Sequence, residues 1–147
     1  MSASIEDKTR VNDLLKVLDK LQNEVIEIGI FGEDGGDVVL YATYNEFGAP
    51  KANIPERSFL RAGFDKYSNE ISKTAEKLMD KVLDGSLDIA SYQKIIGEFT
   101  TGRIKQFLTD LKLPANSPQT VRRKGSSNPL IDTGTMRDRI TWRVKPR

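Results

Sequence analysis

Few residues of this chain could do chemistry, and histidine and cysteine are not among them. Without histidine the commonest general base and zinc ligand is missing, and without cysteine there is no thiol nucleophile, no thiolate metal site and no disulfide. Acid-base or metal chemistry would have to rest on carboxylates, Lys or Tyr. The single triplet Asp132-Thr133-Gly134 offers one carboxylate in the setting that aspartyl hydrolysis uses. That chemistry needs two carboxylates sharing a proton, which one triplet supplies only across a symmetric dimer, and the β-rich body it requires is not in the pattern. Glu33-Asp34-Gly35-Gly36-Asp37 lacks the alternating ligands and the distal Glu of a helix-loop-helix calcium site, so it reads as a solvated hairpin turn. Gly32, Gly35 and Gly36 are not followed by Gly-Lys-Ser/Thr and form no phosphate-binding loop. No catalytic, cofactor-binding or metal-ligating residue is assigned, and the chain does not read as an enzyme.

Charge points toward binding. The net charge is only +2, yet from Val121 onward eight basic residues face two acidic ones, so a basic end follows an acidic body. Arg122-Arg123-Lys124 and the stretch from Arg143 to Arg147 could meet nucleic-acid phosphates or an acidic neighbour, or simply be solvated. With 147 residues, 37% hydrophobic and 30% charged, the chain suits one globular domain with a modest core and much exposed surface. No apolar run approaches the roughly 18 residues of a membrane helix, and the N-terminus lacks a basic stretch followed by an apolar one. A cytoplasmic protein with no membrane partner is expected.

The elements that must position these residues follow from periodicity. Val11, Leu14, Leu15, Leu18 and Leu21 recur at helical spacing, which predicts an amphipathic helix over about 5–22 packed on a sheet. Residues 24–31 alternate as a strand. Residues 38–47 suit a strand by composition, but Tyr41, Tyr44 and Phe47 share one helical face. Gly48 and Pro50 then end whatever precedes them and turn the chain out into a loop. From about residue 56, Leu60, Phe64, Tyr67, Ile71, Ala75, Leu78 and Val82 predict a helix about 40 Å long. Asp84-Gly85-Ser86 breaks it, and a second long helix over 87–111 pairs with it as a hairpin spanning about 56–112. Gly97 and Gly102 weaken that second helix and so predict close approach of another backbone. A mobile basic loop is expected over about 114–129, then a short helix capped by Asp132 or Thr133, then a closing strand around 139–145.

Two separated motifs carry the strongest signal: Tyr44-Asn45-Glu46-Phe47-Gly48 running to Ile54-Pro55-Glu56-Arg57-Ser58-Phe59-Leu60-Arg61, and the stretch from Pro129 through Asp132-Thr133-Gly134 to Arg137 and Ile140. In this order they resemble the small minor tail proteins of tailed bacteriophages, the tail-completion and head-to-tail joining family of virion morphogenesis. In that family a helix ending before Phe-Gly leads to a loop closing on Pro-x-Arg-Pro-Phe-Leu, and here Pro55, Arg57, Phe59 and Leu60 match. Ser58 stands where the family usually has Pro, Ala49 where it often has Thr, and Gly63 where a second Pro is common. The second signature there is an apolar residue, Asp-Thr-Gly, and a basic residue leading into a strand. Specific matches cover about 30 residues, although the resemblance extends over most of the chain.

The resemblance implies an α+β fold in which a small antiparallel sheet packs with an N-terminal helix and the long antiparallel helical hairpin. It also implies a structural virion protein that completes the tail or joins it to the head. Partners would be further copies in a ring, six-fold by family analogy, with tail-terminator, head-closure or connector neighbours and phage DNA in the channel. Tail-terminator or head-closure rings, or a small nucleic-acid-binding module, are the alternatives. Interface candidates are Tyr44, Glu46, Phe47, Gly48, Pro55, Arg57, Phe59, Leu60, Asp132, Thr133, Gly134, Arg137, Arg139 and Trp142, because aromatic residues and Arg concentrate at interface hot spots. Phe59 could equally be plain core, and Arg57 could pair with Glu46. Arg122, Arg123 and Lys124 are the candidates for DNA or an acidic partner.

Overall fold

The computed structural model describes residues 5–34, 36–125, 127–130 and 133–147. The fold is α+β. Helix α1 (Ile5–Asn23) runs straight into strand β1 (Glu24–Gly29), and a 3-10 turn at Gly32–Asp34 precedes α2 (Gly36–Phe47). Helices α3 (Leu60–Leu83) and α4 (Ile89–Asp110) form the long hairpin. Two short helices follow, α5 (Pro118–Lys124) and α6 (Thr135–Asp138), before β2 (Thr141–Pro146) closes the chain.

Strand β2 returns antiparallel to β1, with Glu24 opposite Pro146 at one end and Gly29 opposite Thr141 at the other. Among the described residues the sheet has these two strands alone. A lone ribbon of two strands is marginal in water, and this one is held against α4. Gly97 makes that contact possible, because a Cβ there would run into the indole of Trp142. Gln93 on α4 donates to Glu24 Oε2 at 2.7 Å and anchors the start of the ribbon. The close approach expected at Gly97 is thus made by a side chain rather than a backbone, and Gly102 faces open space.

The core gathers distant segments. Phe59 and Leu108 are fully buried, joined by Ala42, Ile104, Leu130 and Ile140, with Ile28, Phe107 and Met136 packed around them. Helix α2, the start of α3, the end of α4 and the segment before β2 therefore share one interior.

Three local expectations need correction. The apolar stripe of α1 does not lie on the sheet: Val11, Leu15, Leu18 and Leu21 are all exposed, Leu15 at 58%. Where a hairpin turn was expected, Gly32–Asp34 form a 3-10 turn and Gly36 and Asp37 belong to α2; Gly35 lies outside the described residues. The basic stretch expected as a mobile loop contains α5. Ser117 caps it by accepting from Thr120 N at 3.2 Å, Pro118 occupies its first turn, and Gly125 ends it in the left-handed region at φ 67°. Arg122, Arg123 and Lys124 fill its last turn, where cations complement the helix dipole.

Candidate functional site: a carboxylate clamp and the cleft beside it

The first motif closes on itself through one carboxylate. Glu46 lies in the last turn of α2 and is only 4% exposed. Helix α3 begins with no side-chain cap of its own at Phe59, so its first N–H groups need an outside acceptor. Glu46 provides it: Oε2 accepts from Phe59 N at 2.8 Å and Leu60 N at 2.9 Å, and Oε1 from Arg61 N at 3.1 Å. Ser58 Oγ and Arg61 Nε complete the set at 2.8 and 2.9 Å. A negative charge at a helix N-terminus is also favoured by the macrodipole. Burial alone would raise the Glu46 carboxyl, but the donors from Leu60, Arg61 and Ser58 outweigh it and hold it below the ordinary value of 4.5. Arg61 is correspondingly raised, chiefly by its bond to Glu46.

The loop between the two helices fits tightly around this clamp. Gly48 ends α2 at φ 74°, and a Cβ there would lie 2.9 Å from Glu56 N, so both conformation and space call for glycine. Ala49 and Ile54 pair across the loop by two backbone hydrogen bonds, and Arg57 N donates to Asn45 O at 2.6 Å.

Arg57 does not pair with Glu46; Arg61 does. Arg57 is 6% exposed and reaches the segment after α4, donating to Pro114 O at 2.8 Å, Ala115 O at 3.3 Å and Asn116 Oδ1 at 3.1 Å. Its Nη1 also lies 3.5 Å from Asn45 Oδ1. These partners are neutral oxygens. Burial pulls the guanidinium below its usual pKa, although arginine remains a cation in proteins. Arg57 therefore fastens the start of α3 to the 114–116 segment.

Beside it opens a cleft of about 890 Å³. Pro55 and Arg57 come to it from the first motif, Thr133 and Gly134 from the second, and Arg123 and Lys124 from α5. The structure thus brings the two motifs and the basic segment to one place. Gly134 takes a left-handed conformation at φ 84° at the start of α6, and the Thr133 hydroxyl reaches Thr135 N only at 3.4 Å. The cap expected from Thr133 is accordingly long, and Asp132 lies outside the described residues.

The remaining candidates separate into surface and interior. Tyr44 and Phe47 are exposed on α2, with the Arg61 guanidinium 4.7 Å from the Phe47 ring centre. Phe59 is fully buried and offers no surface to a partner, while Leu60 packs against the same core and is partly buried. Trp142 is half-buried on α4, Arg137 pairs with Asp138, and Arg139 lies exposed after α6. The cations at the C-terminal end are less free than the sequence suggests. Arg143 binds Glu27 at 3.0 Å and Glu33 at 3.2 Å and stacks on Phe31, while Lys145 also pairs with Glu27.

Among the described residues no group of three or more acidic side chains converges to hold a metal ion, and no helix is long and apolar enough to cross a membrane. Sequence reasoning missed Asn45, Asn116 and the carbonyls of Pro114 and Ala115, which bind Arg57 through contacts that no local spacing announces. It also missed α5, for which Ser117-Pro118 before the helix and Gly125 after it were the available signals. No family model, curated protein or solved structure matches the chain.

Proposed function

We propose that this chain is a structural virion protein of a tailed phage or prophage, one that completes the tail or joins it to the head as a subunit of a neck ring. The observation that carries the reading is a pair of exposed apolar faces at opposite ends of the helical hairpin. On α1, Val11, Leu15, Leu18 and Leu21 form one stripe, and Arg10 of that helix donates to Leu83 O at the far end of α3. On α2, Leu40, Tyr41, Tyr44 and Phe47 form the other, and Glu46 clamps that helix to the near end of α3. Helix α3, which joins those two attachment points, has 24 residues and is about 36 Å long.

Exposed apolar patches of this kind mark surfaces that proteins cover. Two different patches at opposite ends suit a heterologous contact, in which one face of a subunit meets the other face of the next, and such contacts close into rings. The motif resemblance supplies the biological setting, and the absence of histidine and cysteine turns the reading away from catalysis. Tail-terminator and head-closure rings share this logic and differ in position. A nucleic-acid module is less well supported, because Arg143 and Lys145 already pair with carboxylates of this chain.

Immunogold labelling of intact virions tests the location. Label at the head-to-tail junction is the expected result, and virions without label, detected under conditions that mark a known capsid protein, would contradict it.

A further inference from the structure

The ribbon of β1 and β2 has backbone hydrogen-bonding capacity that its own two strands cannot use. Arg147 N donates to Asn23 O at 2.8 Å just beyond the strands, which fixes the phase of the antiparallel ladder. Counting inward, Val25 with Lys145 and Glu27 with Arg143 are the hydrogen-bonded pairs, and Ile26 with Val144 and Ile28 with Trp142 are the pairs between them. The N–H and C=O groups of these last four residues therefore point out of the ribbon, Ile26 and Ile28 along one edge and Trp142 and Val144 along the other. Among the described residues no hydrogen bond reaches them from outside the ribbon. The side chains divide in the same way. Ile26, Ile28, Trp142 and Val144 share the face turned to α4, where Trp142 lies on Gly97, and Val25, Glu27, Arg143 and Lys145 share the other. On that outer face β1 carries the carboxylate of Glu27, and β2 carries the cations Arg143 and Lys145 that pair with it.

We propose that β1 of one copy adds, antiparallel, to the outer edge of β2 of the next, so that the ribbons of neighbouring copies join into one continuous sheet. The inference rests on the head-to-tail ring proposed above and names the backbone seam within it. With Ile26 of one copy opposite Val144 of the next and Ile28 opposite Trp142, every outward N–H of the two edges meets an outward C=O. Both faces match in that register. Ile26 and Ile28 continue the apolar underside beside Val144 and Trp142, and Glu27 comes opposite Arg143 as a cross-strand pair of opposite charge. Like edges do not match. Joining β1 to β1 through the same outward groups sets Glu27 opposite Glu27, and joining β2 to β2 sets Arg143 opposite Arg143, both destabilising. Pro146 has no N–H where that group would face outward, so the seam ends there. A closed ring built this way leaves neither edge exposed. Each edge also lies in the chain beside one of the apolar faces, since α1 runs into β1, and α2 packs on α6 just ahead of β2.

The test exploits a chain without cysteine. Across the seam Val25 and Lys145 of different copies form a non-hydrogen-bonded pair with Cα atoms about 4.5 Å apart, within reach of a disulfide. Copies carrying Val25→Cys and copies carrying Lys145→Cys, mixed and oxidised, should give a covalent dimer of the two variants, and neither variant alone should. In the wild-type protein, the amides of Ile26, Ile28, Trp142 and Val144 should exchange hydrogen freely in dilute monomer and at least about 100-fold more slowly in the assembly, while those of Val25, Glu27, Arg143 and Lys145 are protected in both. Oligomers that form without the mixed disulfide, and with the four edge amides still exchanging freely, would keep the ring and overturn the seam. A disulfide between two copies of the same variant would overturn it in favour of a two-fold contact. Protein that stays monomeric at about 1 mM would overturn it as well, while labelling of virions still decides the proposed location separately.

Discussion

Glu46 is the residue on which the first motif turns. Its carboxylate accepts from three backbone N–H groups, one hydroxyl and one guanidinium, and so joins the end of α2 to the start of α3. Removing it leaves the buried Phe59 N–H and the part-buried Leu60 and Arg61 N–H groups without that acceptor, so Glu46→Ala should cost about 3 kcal/mol in urea denaturation. Its pKa is lowered by folding, so the stability it contributes is present above the unfolded value and is lost as pH falls through the lower folded value. Glu46→Gln keeps one acceptor and removes the titration. The Tm difference between wild type and Glu46→Gln should be largest near neutral pH and shrink in acid; curves that stay parallel down to about pH 3 would contradict the assignment. The sequence showed that Glu46 and Arg57 belong together with Phe59 and Leu60, but not which arginine takes the carboxylate. The two arginines are four residues apart, but Arg57 precedes α3 and Arg61 lies in its first turn, where Glu46 accepts from the backbone and from Arg61, which leaves Arg57 to the 114–116 segment.

At the scale of elements, long periodic segments were legible and short capped ones were not. The stripe from Leu60 to Val82 and the one from Ile89 to Leu108 each persist over several turns, enough to outweigh Gly97 and Gly102. Helix α5 has no apolar stripe, so its caps were its only signal. Helix α1 was legible as a helix, but not in what it covers, because periodicity identifies an apolar face without saying whether its cover lies in the same chain. The exposed stripes of α1 and α2 lead to a direct prediction. Leu15→Glu with Leu18→Glu should block one face, and Leu40→Glu with Tyr41→Glu the other, each with little effect on Tm because about half or more of each replaced side chain already faces solvent. Under crosslinking, neither double variant should assemble alone, while a mixture of the two should give dimers that stop growing. That outcome reports a head-to-tail contact. Unchanged assembly of either variant would remove its face from the interface.

For the molecule as a whole, the hairpin acts as a strut of about 36 Å with an apolar face at each end and a basic cleft beside one of them. The fold class was readable because alternation and helical periodicity each appear in unbroken runs. The cleft was not, because its lining comes from segments near 38–57, 115–124 and 129–136 that only the packing of Phe59, Leu108 and Ile140 draws together. The most direct test of the central claim is electron microscopy of lysates from the phage or prophage that carries this gene, with the gene deleted. The account predicts DNA-filled heads lying beside separate tails, with overlong tails marking a terminator ring instead. Normal infectious particles in the deletion lysate would contradict it.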